Sequence, residues 1–66
     1  MKVTFKRNVD CDYFDRRMDE TYPRYFRKWE SLSATDVEEA GAYTNLALDN
    51  GDTVLNVPRG AVEVTK

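Results

Sequence analysis

The stretch Tyr43-Thr44-Asn45-Leu46-Ala47-Leu48-Asp49-Asn50-Gly51-Asp52-Thr53-Val54-Leu55-Asn56-Val57 decides the fold class. Two runs that alternate apolar and polar side chains flank Asp49-Asn50-Gly51-Asp52. An Asn-Gly pair between such runs signals a β-hairpin, because a two-residue type I′ turn needs positive φ at both central residues. A turn at Asn50-Gly51 would pair Leu48 with Thr53, Leu46 with Leu55 and Thr44 with Val57, all on one apolar face. Tyr43, Asn45, Ala47, Val54 and Asn56 would then share the other face. A slip by one residue would mix the two sets, so turn and pattern agree.

Working outward, Val57-Pro58-Arg59-Gly60 interrupts the second run, since proline removes a ladder donor and glycine permits a tight turn. Ala61-Val62-Glu63-Val64-Thr65 resumes a period of two, with Val62 and Val64 on one face. Val3 and Phe5 alternate with Lys2, Thr4 and Lys6 and read as a first strand. Leu32 to Glu39 reads as another, turned into the hairpin by Ala40-Gly41. Between them lies Asp10 to Ser31, where Phe14, Met18, Tyr22, Tyr25, Trp29 and Leu32 recur at helical spacing. Pro23 falls inside that stripe, and an interior proline costs a helix about 3 kcal/mol. Two readings follow: a short helix from Pro23 to about Ser31, with proline at its first position, or a long loop between two strands.

This order of elements resembles an SH3-like small barrel: a first strand, a long polar and aromatic excursion, a second strand, a tight distal hairpin, a strand ending in Val-Pro, a one-turn crossover and a short last strand. Leu46 to Val64 carry the likeness, above all Asn50-Gly51 and Val57-Pro58-Arg59-Gly60-Ala61-Val62-Glu63-Val64. The fold expected is mostly β, a five-stranded barrel with a long loop or short helix between the first two strands. The alternative is an α+β fold, an antiparallel sheet with one helix within 14–31. In SH3 domains an aromatic groove binds proline-rich peptides. Here Pro58 stands in place and Asp12-Tyr13-Phe14 echoes the first aromatic cluster, but Gly60-Ala61 lacks the tyrosine that follows in that family. The ending is also similar to those of small phage- or bacterium-encoded accessory proteins, which implies a modulator of a host protein and a cytoplasmic location.

Size and composition narrow the function. Sixty-six residues allow one domain, spanning 1–66, and a chain of that length buries roughly 60% of its unfolded surface. With one cysteine, Cys11, and no histidine, neither an internal disulfide nor a thiolate zinc site is open to it. A lone thiol suits a reducing compartment, and Cys11 reads as a small apolar residue. The opening Met1 to Arg7 has no apolar run of the kind a secretory signal needs, and no segment approaches the ~20 apolar residues of a membrane span. Net charge is −2, which weighs against nucleic acid as the main partner. Residues 1–32 nevertheless carry eight Lys/Arg against six Asp/Glu, while residues 33–66 carry two against six.

No catalytic, cofactor-binding or metal-binding constellation emerges. Asp10, Asp12 and Asp15, or Glu38 and Glu39, read as solvated faces. Asp49-Asn50-Gly51-Asp52 lacks the twelve-residue spacing of a calcium loop and reads as turn chemistry. The segment left over is Tyr13 to Trp29. Seven of the eight aromatic residues lie between Phe5 and Trp29, interleaved with arginines, and Tyr, Trp and Arg dominate binding hot spots. The plainer use of Phe14, Tyr25 and Trp29 is to build the core. The partner-binding residues expected are Tyr13, Arg16, Arg17, Tyr22, Arg24, Tyr25, Arg27, Lys28 and Trp29. The function expected is a non-enzymatic module that binds a protein. The alternatives are a small barrel that binds nucleic acid through the basic half, and a structural or oligomerising component using exposed strand edges.

Overall fold

The computed structural model describes residues 1–66. Seven strands follow one another without a helix: β1 (Lys2–Phe5), β2 (Val9–Asp15), β3 (Glu20–Phe26), β4 (Ser31–Ala40), β5 (Tyr43–Leu48), β6 (Thr53–Pro58) and β7 (Val62–Thr65). They form one antiparallel sheet in the order β3-β2-β6-β5-β4-β1-β7. The mostly β expectation holds. The five-strand count does not, and the sheet is open, with β3 and β7 as its edges, rather than a closed barrel.

Neither the helix within 14–31 nor the long loop is present. Val9, Cys11 and Tyr13 alternate with Asp10 and Asp12, and this period of two builds β2 and buries those three side chains. The chain then reverses through Arg16–Asp19. The Asp15 carboxylate accepts the N–H groups of Arg17 (3.0 Å) and Met18 (3.3 Å), and Asp19 takes a left-handed φ of 53°. Asp and Asn tolerate that region best among non-glycine residues. Pro23 fits because β3 is an edge strand, where a missing donor costs no ladder bond. The helical spacing of Phe14, Met18, Tyr22, Tyr25 and Trp29 therefore reflects no shared face. Tyr22 and Tyr25 lie on opposite sides of β3, and Met18 is a turn residue.

The distal hairpin departs from its expected register over half its length. Gly51 N–H donates to Leu48 O (3.0 Å) and Leu48 N–H to Asp52 O (2.9 Å), closing a three-residue loop in which only Gly51 has positive φ (93°). This is the type I turn with a left-handed glycine, not type I′. Ala47 consequently pairs with Thr53 and Leu46 with Val54, so Val54 turns inward and Leu55 outward. Leu55 and Asn56 together then oppose Asn45, with Asn56 at φ 61°. That bulge restores the expected pairing of Thr44 with Val57.

Twelve buried hydrophobic residues form the core: Val3, Phe5, Val9, Cys11, Tyr13, Phe26, Ala34, Leu46, Leu48, Val54, Val57 and Ala61. Its centre is the stack of Phe5 on Phe26, with ring centroids 4.5 Å apart and planes 7° from parallel. Phe26 ends the edge strand β3, and Phe5 lies near the other end of the strand order, so this contact curls the sheet onto itself. The connector Arg27–Glu30 follows directly. Its backbone joins Phe5 through Phe5 N–H to Glu30 O (2.9 Å) and Trp29 N–H to Phe5 O (2.7 Å). Phe14 is half-buried, Tyr25 is 49% exposed and Trp29 is 65% exposed, so none of the three builds the core. Truncating a buried Phe to Ala costs about 3–5 kcal/mol, comparable with the whole stability of a domain this small. Phe26→Ala should therefore lose cooperative urea unfolding and amide shift dispersion, while Met18→Ala should change neither.

Candidate binding surface

The β2–β3 hairpin sets out most of the expected binding residues, but in separate places. Residues directly opposite in an antiparallel pair share a face. Tyr13 faces Tyr22, Cys11 faces Arg24, and Val9 faces Phe26. Along this inner side the Tyr13 and Tyr22 rings lie 5.5 Å apart. The Arg24 guanidinium stands 5.4 Å from the Tyr13 centroid and 4.7 Å from that of Phe26. Aromatic faces attract cations, and Arg24 has no carboxylate partner, since the one ion pair in the chain joins Arg59 to Glu39. Tyr22 and Arg24 thus stand together on an exposed edge, against the buried ring of Tyr13.

At the far end of β3 a second group gathers. Lys28 N–H donates to Asn8 Oδ1 (2.8 Å), which places the loop Lys6–Asn8 beside the connector carrying Arg27, Lys28 and Trp29. The Lys28 ammonium sits 5.1 Å from the Trp29 ring centroid. Glu30 accepts the Arg27 N–H with its side chain (3.2 Å) and donates its own N–H to Arg27 O (3.0 Å), closing a tight turn. Trp29 is held there at φ 76°, a conformation that costs a bulky residue about 1–3 kcal/mol. Lys6, Arg7 and Asn8 were not among the expected site residues. Their signal was the basic pair Lys6-Arg7, followed by Asn8, directly after a strand. Arg16 and Arg17 sit at the opposite tip of the hairpin, about 20 Å away along a seven-residue strand, and Tyr25 faces the other side of the sheet opposite Asp10.

The tip is fastened by Asp52. Its carboxylate accepts the Tyr13 hydroxyl, the Arg16 N–H (3.0 Å) and the Asn50 amide (3.1 Å). The Tyr13 hydrogen bond first, then the Arg16 N–H, hold Asp52 below its ordinary pKa of 3.8. Burial, then the bond to Asp52, push Tyr13 above its ordinary 10.0. Burial, then the neighbouring Asp12, raise Cys11 to about 11, and its thiol donates to Arg24 O (3.5 Å). No group of three or more Cys, Asp and Glu side chains is placed to hold a metal, and no helix long and apolar enough to cross a membrane is present. No family model matches the chain, and no curated protein and no solved structure matches it significantly.

Two outcomes follow from these shifts. A lowered carboxylate contributes stability that is present above its ordinary pKa and is lost as pH falls through the native value. Wild-type stability should therefore decline with acid below pH 3.8 more steeply than that of Asp52→Asn, as urea midpoints across pH will measure. A thiol raised from 9.0 to about 11 holds about 100-fold less thiolate at neutral pH. Iodoacetamide should accordingly modify Cys11 slowly in the folded chain and rapidly in urea, as mass spectrometry over time will report.

Proposed function

We propose that this chain is a non-enzymatic module that binds a larger protein and modulates it, using Trp29, Lys28 and Arg27 with Arg24 and Tyr22 along β3. One observation carries the reading. The only tryptophan is 65% exposed and fixed in a left-handed backbone conformation that glycine would adopt without strain. Strain at an exposed aromatic serves no packing purpose, and such outliers cluster where a side chain is aimed at a ligand. Trp and Arg are the residue types that anchor protein interfaces, and both stand here beside unpaired cations. Pro23 interrupts the outer edge of β3, so side chains rather than added strand hydrogen bonds make the contact.

The strand order supports the finer reading of the fold as an opened SH3-like arrangement. A meander β4–β5–β6 is flanked by β1, which pairs with both β4 and the last strand β7, and the excursion after β1 is the β2–β3 hairpin.

Trp29→Gly separates function from fold. Relief of the left-handed strain should keep or raise stability, by about 1 kcal/mol, while loss of a hot-spot tryptophan should weaken partner binding at least ~30-fold. Affinity capture from native cells with wild type, Trp29→Gly and a Tyr22/Arg24/Arg27 triple alanine measures this. Recovery of the same partner at wild-type yield by folded Trp29→Gly refutes the assignment.

A further inference from the structure

The outer face of β4, β5 and β6 holds a groove of about 240 Å³, lined by Asp36, Glu38, Asn45, Leu46, Ala47, Thr53 and Leu55. The pairings explain its shape. Asp36 lies opposite Ala47, Ala47 opposite Thr53, and Thr53 opposite Phe14 on β2. Small side chains at Ala47 and Thr53 therefore leave a dip between taller neighbours. Leu55 reaches this face because the distal turn shifts the register, so the apolar floor follows from the same turn that buries Val54.

The walls are acidic. Asp36 and Glu38 are two apart on one strand and project to one face, roughly 7 Å from each other. On the far side Asp12 is paired with Leu55. The three strands that form the groove contain no lysine or arginine, and the chain's one ion pair lies elsewhere, between Arg59 and Glu39. Asp36 uses one oxygen on the adjacent Val37 N–H (2.9 Å). Asp12 accepts the Asn56 side-chain amide (2.8 Å), and no lysine or arginine pairs with any of the three carboxylates.

We infer that this groove is a second binding site, distinct from the Trp29 surface, which receives a single lysine or arginine side chain from a protein partner. Three features select that occupant. The volume falls short of the ~300 Å³ or more of small-molecule sites, so one side chain is the right scale. A purely apolar occupant would strip water from the carboxylates without replacing it. A lysine or arginine lays its methylene stem on apolar surface while its charged head remains at the rim, which matches a floor of Ala47 and Leu55 beneath Asp36 and Glu38.

The test is a nitrogen-15 amide shift titration of the full chain with capped glycyl-lysyl-glycine and glycyl-arginyl-glycine, and with the norleucine peptide as an uncharged control. The cationic peptides should shift the Ala47, Thr53 and Leu55 amides saturably, with a dissociation constant on the order of 1 mM, and the norleucine peptide should not. Asp36→Asn with Glu38→Gln, which keeps shape and the Val37 hydrogen bond, should weaken binding at least tenfold. Ala47→Leu, which fills the dip and leaves every carboxylate in place, should abolish it. Core amide shifts verify that each variant is folded, and the charge-neutral pair decides the matter should Ala47→Leu fail to fold. Absence of localised shifts, equal binding of norleucine, undiminished binding by the double variant, or full binding by folded Ala47→Leu would each overturn the proposal.

Discussion

The stack of Phe5 on Phe26 is the contact on which the rest of the molecule depends. An open seven-stranded sheet has two edges and two faces, and a chain this short cannot cover both faces with a second layer. The sheet must therefore cover itself. Phe26 closes the first strand of the spatial order and Phe5 lies in the sixth, so their parallel rings bring the ends of the sheet together around the aliphatic core. Offset aromatic pairs add about 0.5–1.5 kcal/mol beyond the area they bury. The larger effect is geometric. The connector that follows Phe26 is drawn against Phe5, and its hydrogen bonds to that residue hold Trp29 outside the core.

Much of the scaffold was legible from local pattern, and the exceptions have physical causes. Val3 and Phe5 and the distal hairpin announce themselves because each pairs a period of two with turn residues beside it, whereas the run from Leu32 to Glu39 keeps that period only as far as Ala34, where the register shifts. The β2–β3 hairpin was equally visible in Val9-Asp10-Cys11-Asp12-Tyr13, but a competing stripe of large aromatics at helical spacing masked it. That stripe misleads because side-chain size alone does not report burial. The true core aromatics are Phe5, Tyr13 and Phe26, whereas Tyr25 and Trp29 are exposed. Register was the least legible quantity. Asn50-Gly51 fits a two-residue and a three-residue loop equally well, and the hydrogen bonds that close the loop at Leu48 decide which is used.

The expected binding residues were scattered rather than gathered by folding. Tyr22 and Arg24 line one edge against the buried Tyr13, Arg27, Lys28 and Trp29 form a pole with Lys6 and Arg7, Arg16 and Arg17 cap the hairpin tip, and Tyr25 turns away. Sequence proximity grouped them because strands of seven residues keep neighbours in the chain close on paper while separating them in space. Charge is divided in the same way. Cations collect at the loops beside β1 and β3, and the acidic groove lies on three strands without a basic residue.

The three-residue loop at Gly51 and the extra residue at Asn56 behave as a compensating pair of frameshifts. The first moves β6 out of phase with β5, and the second returns it to phase before Thr44 meets Val57. Between them lies a short window in which inside and outside are exchanged. Val54 gains the core there, and Leu55 is delivered to the outer surface. Neither change is separable from the other. A two-residue turn at Asn50-Gly51 with the bulge kept would carry a phase error through Val57 into the rest of β6, while loss of both together would keep the hairpin and forfeit the apolar floor outside it.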